Sequence, residues 1–484
     1  MHRKHRTGRA ALVAAVTMLA VSGCDFLDPT TVTNPNTTTE DLAAAAEPTT
    51  ALMPGLRAQM ARAVRAVVQT SALLSDDSEV AFTNIGPELA DPYLFTPDGA
   101  SYNTTGGIGA YWNAQELRAF ADFVIDSIAP GDATATDAQV AEAHYYRGMA
   151  YLFQGENFIA IPRAPDAEPT PWEDLLGFAI DDFSAAQALG ADADLPSEAP
   201  LPLALEAALA RAHRALGNPA EAETHALAAL GMGASFTVFQ EYAAGEIENP
   251  FSTETRQYQP LPRLDFLDPK YTTRGAPIAV SKAEEMHLIL AEAAMAANDY
   301  AAAAAHVADA IRLAGTRPTA SFVDNDERAN GDLTQRPNTS DILVAAEPGA
   351  PLRPGLVRTR PGTVIVPTVS GSSLDADSVE ALAAPLEVRH AFWLTRQEIL
   401  FLEGRRVSDL GIRLPVIQRE TDTNAAIAEG DPETQIVLPD YIPRGMDNFD
   451  PRDPYADGTD EVTVDFDMNR ILAEEGVSAF GPLP

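Results

Sequence analysis

Cys24 is the only cysteine in 484 residues, and it closes the run Leu19-Ala20-Val21-Ser22-Gly23-Cys24. A lone thiol can neither form a disulfide within the chain nor supply the thiolate set of a structural zinc site. It remains a nucleophile, and its place directly behind small residues fits covalent modification at a cleavage point. Elsewhere the reactive residue types occur without the spacing that chemistry needs. The eight histidines show no H-E-x-x-H or other close metal spacing, and His213, His225, His287 and His306 read as surface or core histidines on helices rather than ligands. No G-x-S-x-G elbow occurs, and Gly106, Gly107 and Gly109 lack the strand and spacing of a phosphate loop. Asp324-Asn325-Asp326 opens like a calcium loop, but Arg328 and Ala329 stand where a ligand and the turn glycine belong. Paired carboxylates are unavoidable among 70 acidic residues and give no positive support to a glycosidase. The sequence therefore assigns no catalytic residue, no metal ligand and no cofactor.

One segment concentrates charge among apolar residues. In the helical stretch Leu394 to Leu410, Arg396, Glu403 and Arg406 fall near one face, and Asp409 lies three residues beyond Arg406. Such a pattern predicts partly buried ion pairs. Glu403, Arg406 and Asp409 are read as a structural motif that fixes how this helix docks on the rest of the body, because buried pairs specify packing better than they add stability.

The elements that must position these groups begin behind a leader. Arg3, Lys4, Arg6 and Arg9 precede an apolar run of about a dozen residues, shorter than the ~20 that span a bilayer. Residues 1–23 therefore read as a cleaved signal, and Ser22-Gly23 before Cys24 resembles the bacterial lipobox, whose cysteine receives a diacylglyceryl group. Without residues 1–23 the chain has 29 basic against 70 acidic residues, a formal charge of −41. A body this negative repels phosphate backbones, which excludes nucleic acid as a partner.

Residues 24–39, rich in threonine, read as an extended tether, and 40–484 as a single, mainly α-helical domain. Apolar residues at steps of three and four predict helices over 40–74, 115–128, 137–153, 172–189, 203–216, 220–230, 282–297, 300–313 and 385–410. Breaks at Gly217-Asn218-Pro219 and Asn298-Asp299 divide two helical hairpins. Aligning them superposes Ala210 on Ala291, Ala212 on Ala293 and Ala222 on Ala303, an offset of 81 residues each time. Small residues at matching positions suit tetratricopeptide-type hairpins. Three irregular stretches, near 75–111, 231–277 and 316–385, read as loop-rich surface excursions. Val364-Ile365-Val366 suggests a short strand, and Val462-Thr463-Val464 an edge strand.

At Glu403-Gly404, Arg406 and Asp409-Leu410 the chain resembles the late signature E-L-x-x-E-G-x-R-x-x-D-L of the SusD/RagB family, with Ile399 where the first glutamate is usual. Ala141-Glu142-Ala143 with Arg147, Tyr151, Gly155 and Pro162 resembles an earlier family helix. Ala207 to Ala226, and Ala283-Glu284 through Ala291-Glu292-Ala293 to Arg312 and Ala314-Gly315, resemble its repeats; Cys24-Asp25-Phe26-Leu27-Asp28 is similar to its opening. The resemblance implies a tetratricopeptide-like helical body with a loop-rich face. It also implies a non-enzymatic, surface-exposed lipoprotein of the outer membrane, anchored through Cys24. Such a protein binds an oligosaccharide, or in some members a peptide, and delivers it as a lid to a SusC-like TonB-dependent transporter. The alternative is a lipid-anchored helical-repeat scaffold of the cell envelope without a nutrient ligand.

Sugars present apolar faces ringed by hydroxyls, so a binder needs exposed rings and hydrogen-bonding side chains. The first irregular stretch gathers Tyr93, Phe95, Tyr102, Asn103, Tyr111 and Trp112. Of these, Tyr93, Tyr102, Asn103 and Trp112 are the ligand-binding candidates, with Tyr258 and Tyr271 from the second excursion. Family ligand contacts vary, so no binding residue is carried over by resemblance.

Overall fold

Alanine-rich periodicity becomes a stack of antiparallel helices in the computed structural model, which describes residues 46–80, 91–102, 109–252, 258–323, 343–354, 363–446, 449–450 and 461–483. By internal contacts the chain divides after Pro48, and the second unit, Thr49–Pro484, holds the core. The expectations for residues 1–45, including Cys24 and the tether, lie outside the described residues.

The helices are α1 (Pro48–Leu73), α2 (Pro97–Tyr102), α3 (Ala110–Asp122), α4 (Asp137–Asn157), α5 (Trp172–Ala188), α6 (Leu201–Leu216), α7 (Pro219–Met232), α8 (Ala283–Ala296), α9 (Tyr300–Ala314), α10 (Ala376–Glu380), α11 (Pro385–Ile399), α12 (Arg406–Asp409), α13 (Gln418–Thr423) and α14 (Met468–Glu474). Consecutive members of α4/α5, α6/α7 and α8/α9 pack as hairpins, and neighbouring hairpins pack on each other. Thr136 starts α4 with a complete capping box, accepting from Gln139 N while the Gln139 side chain accepts from Thr136 N.

The 81-residue offset extends to the backbone. Gly217 and Asn298 both turn in the left-handed region, at φ +82° and +62°, and end α6 and α8. Glycine enters that region freely and asparagine is the next most tolerant residue. Between the α6/α7 hairpin and α8 the seam is made of Ala207 and Ala210 of α6 and Ala222, Ala226 and Ala229 of α7 against Met286 and Ile289 of α8, each fully buried. Alanine at these positions lets the helix axes approach closely.

Strands are short. Thr363–Pro367 pairs antiparallel with Thr319–Val323, as the apolar triplet suggested. Glu461–Val464 is an inner strand rather than an edge: it runs antiparallel to Phe449–Asp450 and parallel to Leu343–Ala345. The pairing partners come from distant loops that the local pattern does not reveal. The second excursion is not confined to the surface. Leu264, Leu267 and Tyr271 enter the core, and Tyr258–Pro260 pairs with Ser78–Val80, tying two irregular segments together.

The largest departure from the expected elements is at the C-terminal helix. α11 ends at Ile399, the chain turns through Leu402 (φ +54°) and Gly404 (φ +79°), and only Arg406–Asp409 is helical again. Leu400-Phe401-Leu402 prolongs the apolar pattern, which is why the sequence reads as one helix to Leu410. Among the described residues no helix is long and apolar enough to cross a membrane.

Candidate ligand site and the buried charge network

The break after α11 exposes backbone carbonyls inside the protein, and cations come to them. Lys282 Nζ donates to Ile399 O at 2.6 Å, and Lys270 Nζ donates to Phe401 O at 2.7 Å. Tyr271 donates its hydroxyl to Leu402 O at 3.1 Å. Both lysines also reach the same oxygen, Glu403 Oε1, at 2.6 Å each. Positive side chains at the C-terminal end of a helix satisfy orphan carbonyls and oppose the negative end of its dipole. Burial, together with the like charge of Lys282 and against the pull of Glu403, lowers Lys270 to about 8.

The remaining motif residues extend this network. Arg406 grips Asp76 through two bonds, Nε to Oδ1 at 2.5 Å and Nη2 to Oδ2 at 2.7 Å. Asp409 accepts from Arg396 Nε at 2.8 Å and lies 3.2 Å from Arg214 Nη1, while Arg214 Nε donates to Glu292 at 2.6 Å. Arg405 pairs with Glu285 at 2.9 Å; burial opposes ionisation of that carboxyl, but Arg405 and Arg211 outweigh it and hold it near 2. Glu403, Arg406 and Asp409 are thus 5% exposed or less, each with a partner from another element. The pairs join α11–α12 to the turn after α1, to α6 and to α8 across the sequence instead of closing within one helix, which the expected i,i+3 spacing did not show.

Asp77, next to the Arg406 partner, is the one carboxyl in the network whose ionisation is strongly opposed. Burial first, and then the neighbouring charge of Asp76, push it up to about 7, against the attraction of Arg406 and a bond from Gln397 Nε2 at 3.1 Å. Gln397 also accepts from Arg263 and, at 2.8 Å, from Asn469 Nδ2. This is a region of closely paired charge, closed to solvent.

The aromatic candidates divide. Tyr271 is 2% exposed and its hydroxyl is used by Leu402, so its assignment to a ligand-facing surface is corrected: it belongs to the core around the broken helix. Tyr93 is half-buried, donates its hydroxyl to Ile442 O and lies 4.3 Å beneath the Arg444 guanidinium. Trp112 is half-buried, donates Nε1 to Glu116 at 2.7 Å and has Arg419 of α13 5.5 Å from its ring. Its neighbour Tyr111 is 2% exposed and packs edge-on against Phe158 at 5.4 Å, because α3 begins five residues earlier than the pattern suggested. For Tyr102, at the end of α2, and for Tyr258, only the backbone is described; Asn103 lies outside the described residues.

Trp112 opens a line that the sequence reading passed over. Trp112, Gln115, Arg118 and Asp122 recur at three and four residues along α3, so they share one face. Gln115 donates to Pro162 O at 2.7 Å and accepts from Arg118 at 3.0 Å. Farther along, a cavity of about 320 Å³ opens between α3, α4 and α5, lined by Arg118, Asp122, Asp126, Arg147, Tyr151, Arg163, Phe178, Asp181 and Asp182. Arg163 lies 3.8 Å over the Phe178 ring and donates to the Tyr151 hydroxyl at 3.1 Å. Arg147 donates to Asp182 at 2.8 Å and to Asp122 at 3.1 Å. Burial lowers Arg147 but these carboxylates more than offset it, so it stays charged.

The backbone beneath the cavity is irregular. Residues Phe123–Ile128 form a single π-helical turn after α3, a device that often marks functional sites. It places Asp126 3.2 Å from Arg147 Nη1. Chemically, the cavity offers a fan of charged donors and acceptors over a floor in which Tyr151 is buried and Phe178 is covered by Arg163, which suits a polar ligand bearing hydroxyl groups. The signal that could have found it is the i,i+4 pair Arg118–Asp122 on the face of Trp112; Arg163 and Phe178 join through tertiary packing alone.

No family profile and no curated protein sequence matches the chain. Among solved structures it is similar to a SusD superfamily protein from Bacteroides vulgatus ATCC 8482 at 10% identity and TM-score 0.49, covering 76% of this chain and 88% of that one. A SusD superfamily protein from Bacteroides thetaiotaomicron VPI-5482 is similar at 14% identity and TM-score 0.45, over 81% and 92% of the two chains. A third similar structure, a SusD-like carbohydrate binding protein from Bacteroides vulgatus ATCC 8482, has 13% identity and TM-score 0.44, over 75% and 83%.

Proposed function

We propose that the mature chain is a SusD-like ligand-binding lipoprotein of the outer membrane. Anchored through Cys24 and facing outward, it captures an oligosaccharide or a peptide and passes it to a SusC-like TonB-dependent transporter. The observation that carries the binding part is the cavity beside α3, whose lining combines the Tyr151 and Phe178 rings with Arg118, Arg147 and Arg163 and their aspartates. Fixed donors and acceptors that read hydroxyl positions are what such a ligand requires, and Phe178, with Arg163 over its ring, gives the site an apolar floor. Three of the four lining carboxylates, Asp122, Asp126 and Asp182, are each engaged by arginine, an arrangement that fixes their positions for holding a ligand. The transporter and membrane parts rest on the sequence resemblance at Cys24 and at Glu403, Arg406 and Asp409.

The deciding experiment is purification of the tagged, acylated protein from its own outer membrane in mild detergent, with mass spectrometry of what accompanies it. A stoichiometric large β-barrel with a plug domain is expected. Recovery alone, or with assorted soluble envelope proteins, would favour the scaffold alternative. Cys24→Ser should release the protein from the membrane fraction, and its retention there would remove the anchor.

A further inference from the structure

The two hairpins related by 81 residues carry a matching side-chain pair at one level: Glu206 and His225 in α6/α7, His287 and His306 in α8/α9. In the first hairpin the pair is complete. His225 Nδ1 lies 2.7 Å from Glu206 Oε2, and its ring stacks on His213 with centroids 5.4 Å apart and planes at 6°. In the second hairpin an imidazole replaces the carboxylate. The His287 and His306 ring centroids lie 5.9 Å apart with the planes tilted by 39°, and Nδ1 of each is buried with no hydrogen-bond partner. Buried polar atoms in native proteins are ordinarily paired, so two orphans on adjoining rings need a reason.

Asp309, one turn beyond His306 on α9, supplies it. One ligand atom from each of His287, His306 and Asp309 lies within 4.8 Å of the others. Tetrahedral ligands bound to zinc at about 2.0–2.1 Å keep roughly 3.3 Å between one another. Small rotations of half-exposed side chains close that difference. Arg312 Nη1 sits 3.3 Å from Asp309 Oδ1, but Arg312 has Asp377 and Glu380 as further partners and can release it.

We propose that His287, His306 and Asp309 form a binding site for a divalent transition metal ion of the zinc class, clamping α8 to α9. Two imidazoles and one carboxylate suit zinc rather than calcium or magnesium, which take oxygen ligands. Three protein ligands leave one position for water, unlike closed four-ligand structural sites. Sequence spacing concealed the set, since His287 and His306 are 19 residues apart and meet only through the hairpin. The site is independent of the cavity beside α3.

The test is zinc binding by the tag-free mature protein, measured by elemental analysis after dialysis and by calorimetric titration. One zinc per chain is expected, with a rise in melting temperature as zinc increases. His306→Ala should weaken binding by more than roughly 100-fold, beyond what loss of an outer partner costs. Alanine preserves the helix, and unchanged circular dichroism verifies it; Asp309→Asn should weaken binding in the same direction. His225→Ala, the counterpart in the first hairpin, and His390→Ala, from the separate group Glu347, His390 and Asp467, should leave it intact. No stoichiometric zinc on the wild type, full retention by His306→Ala, or loss on His390→Ala instead would each overturn the assignment.

Discussion

The guanidinium of Arg406 straddles the carboxylate of Asp76 across 330 residues of sequence. One residue follows α1 within three positions of its end and the other opens α12, so a single bidentate pair closes the first described helix against the last motif. Removing Arg406 leaves Asp76 and Asp77 buried side by side without their principal counter-charge. Arg406→Ala is expected to cost roughly 3–5 kcal/mol of folding stability, read by urea denaturation, while ligand affinity of the folded fraction is unchanged. Unaltered stability with lost binding would move this residue into the ligand site.

Glu403 serves two cations at once, which makes the network asymmetric. Glu403→Gln leaves Lys270 and Lys282 together without their shared anion and should cost about 3–5 kcal/mol. Lys270→Met removes one cation, fills its space with an apolar chain and leaves the Glu403–Lys282 pair, at an expected cost of about 1–3 kcal/mol. Denaturation curves on the two variants check the order. The reverse order would mean that Glu403 is not the hub.

Asp77 gives the protein a pH signature. Its folded pKa of about 7 stands above its ordinary value of 3.8. Between those limits the native state holds a proton that the unfolded state has lost, so this group's contribution is present at acid pH and lost as pH rises through 7. Asp77→Asn keeps an acceptor for Gln397 and cannot ionise. It should be more stable than the wild type at pH 8, on the order of 2–4 kcal/mol, with the difference vanishing toward pH 4. Parallel stability profiles for the two proteins would contradict the burial effect.

The turn after α11 depends on Gly404. Its φ of +79° disfavours any side chain, and a Cβ there would stand 3.1 Å from Val67 Cγ1 on α1. Gly404→Ala combines strain with overpacking, and a loss of about 2–4 kcal/mol is expected from thermal or chemical unfolding. A neutral substitution would mean that the turn can adopt another path.

How much of this was legible in the sequence follows from the range of each interaction. Helical periodicity and the Gly217 and Asn298 breaks are local, so the hairpins and their 81-residue offset were readable. The burial of Glu403, Arg406 and Asp409 was readable from their apolar surroundings, but not their partners Asp76, Arg214, Lys270 and Lys282, which only tertiary packing brings near. Leu402 in the left-handed region leaves no mark in composition, so the break in the last helix was missed. Of the aromatic candidates, Tyr93 and Trp112 are half-buried rings. Tyr271, from the second excursion, is buried on Leu402 instead, because a tyrosine that caps a broken helix and one that meets a ligand look alike in sequence.

Beyond the leader the chain has two lysines, and both are buried on Glu403. Its outward-facing cations are therefore arginines, whose guanidinium groups resist amine-directed reagents. Acylating labels, amine cross-linkers and lysine-specific proteases would find no side-chain target on the folded body, and a lysine adduct on Lys270 or Lys282 becomes a direct record that the centre of the protein has opened.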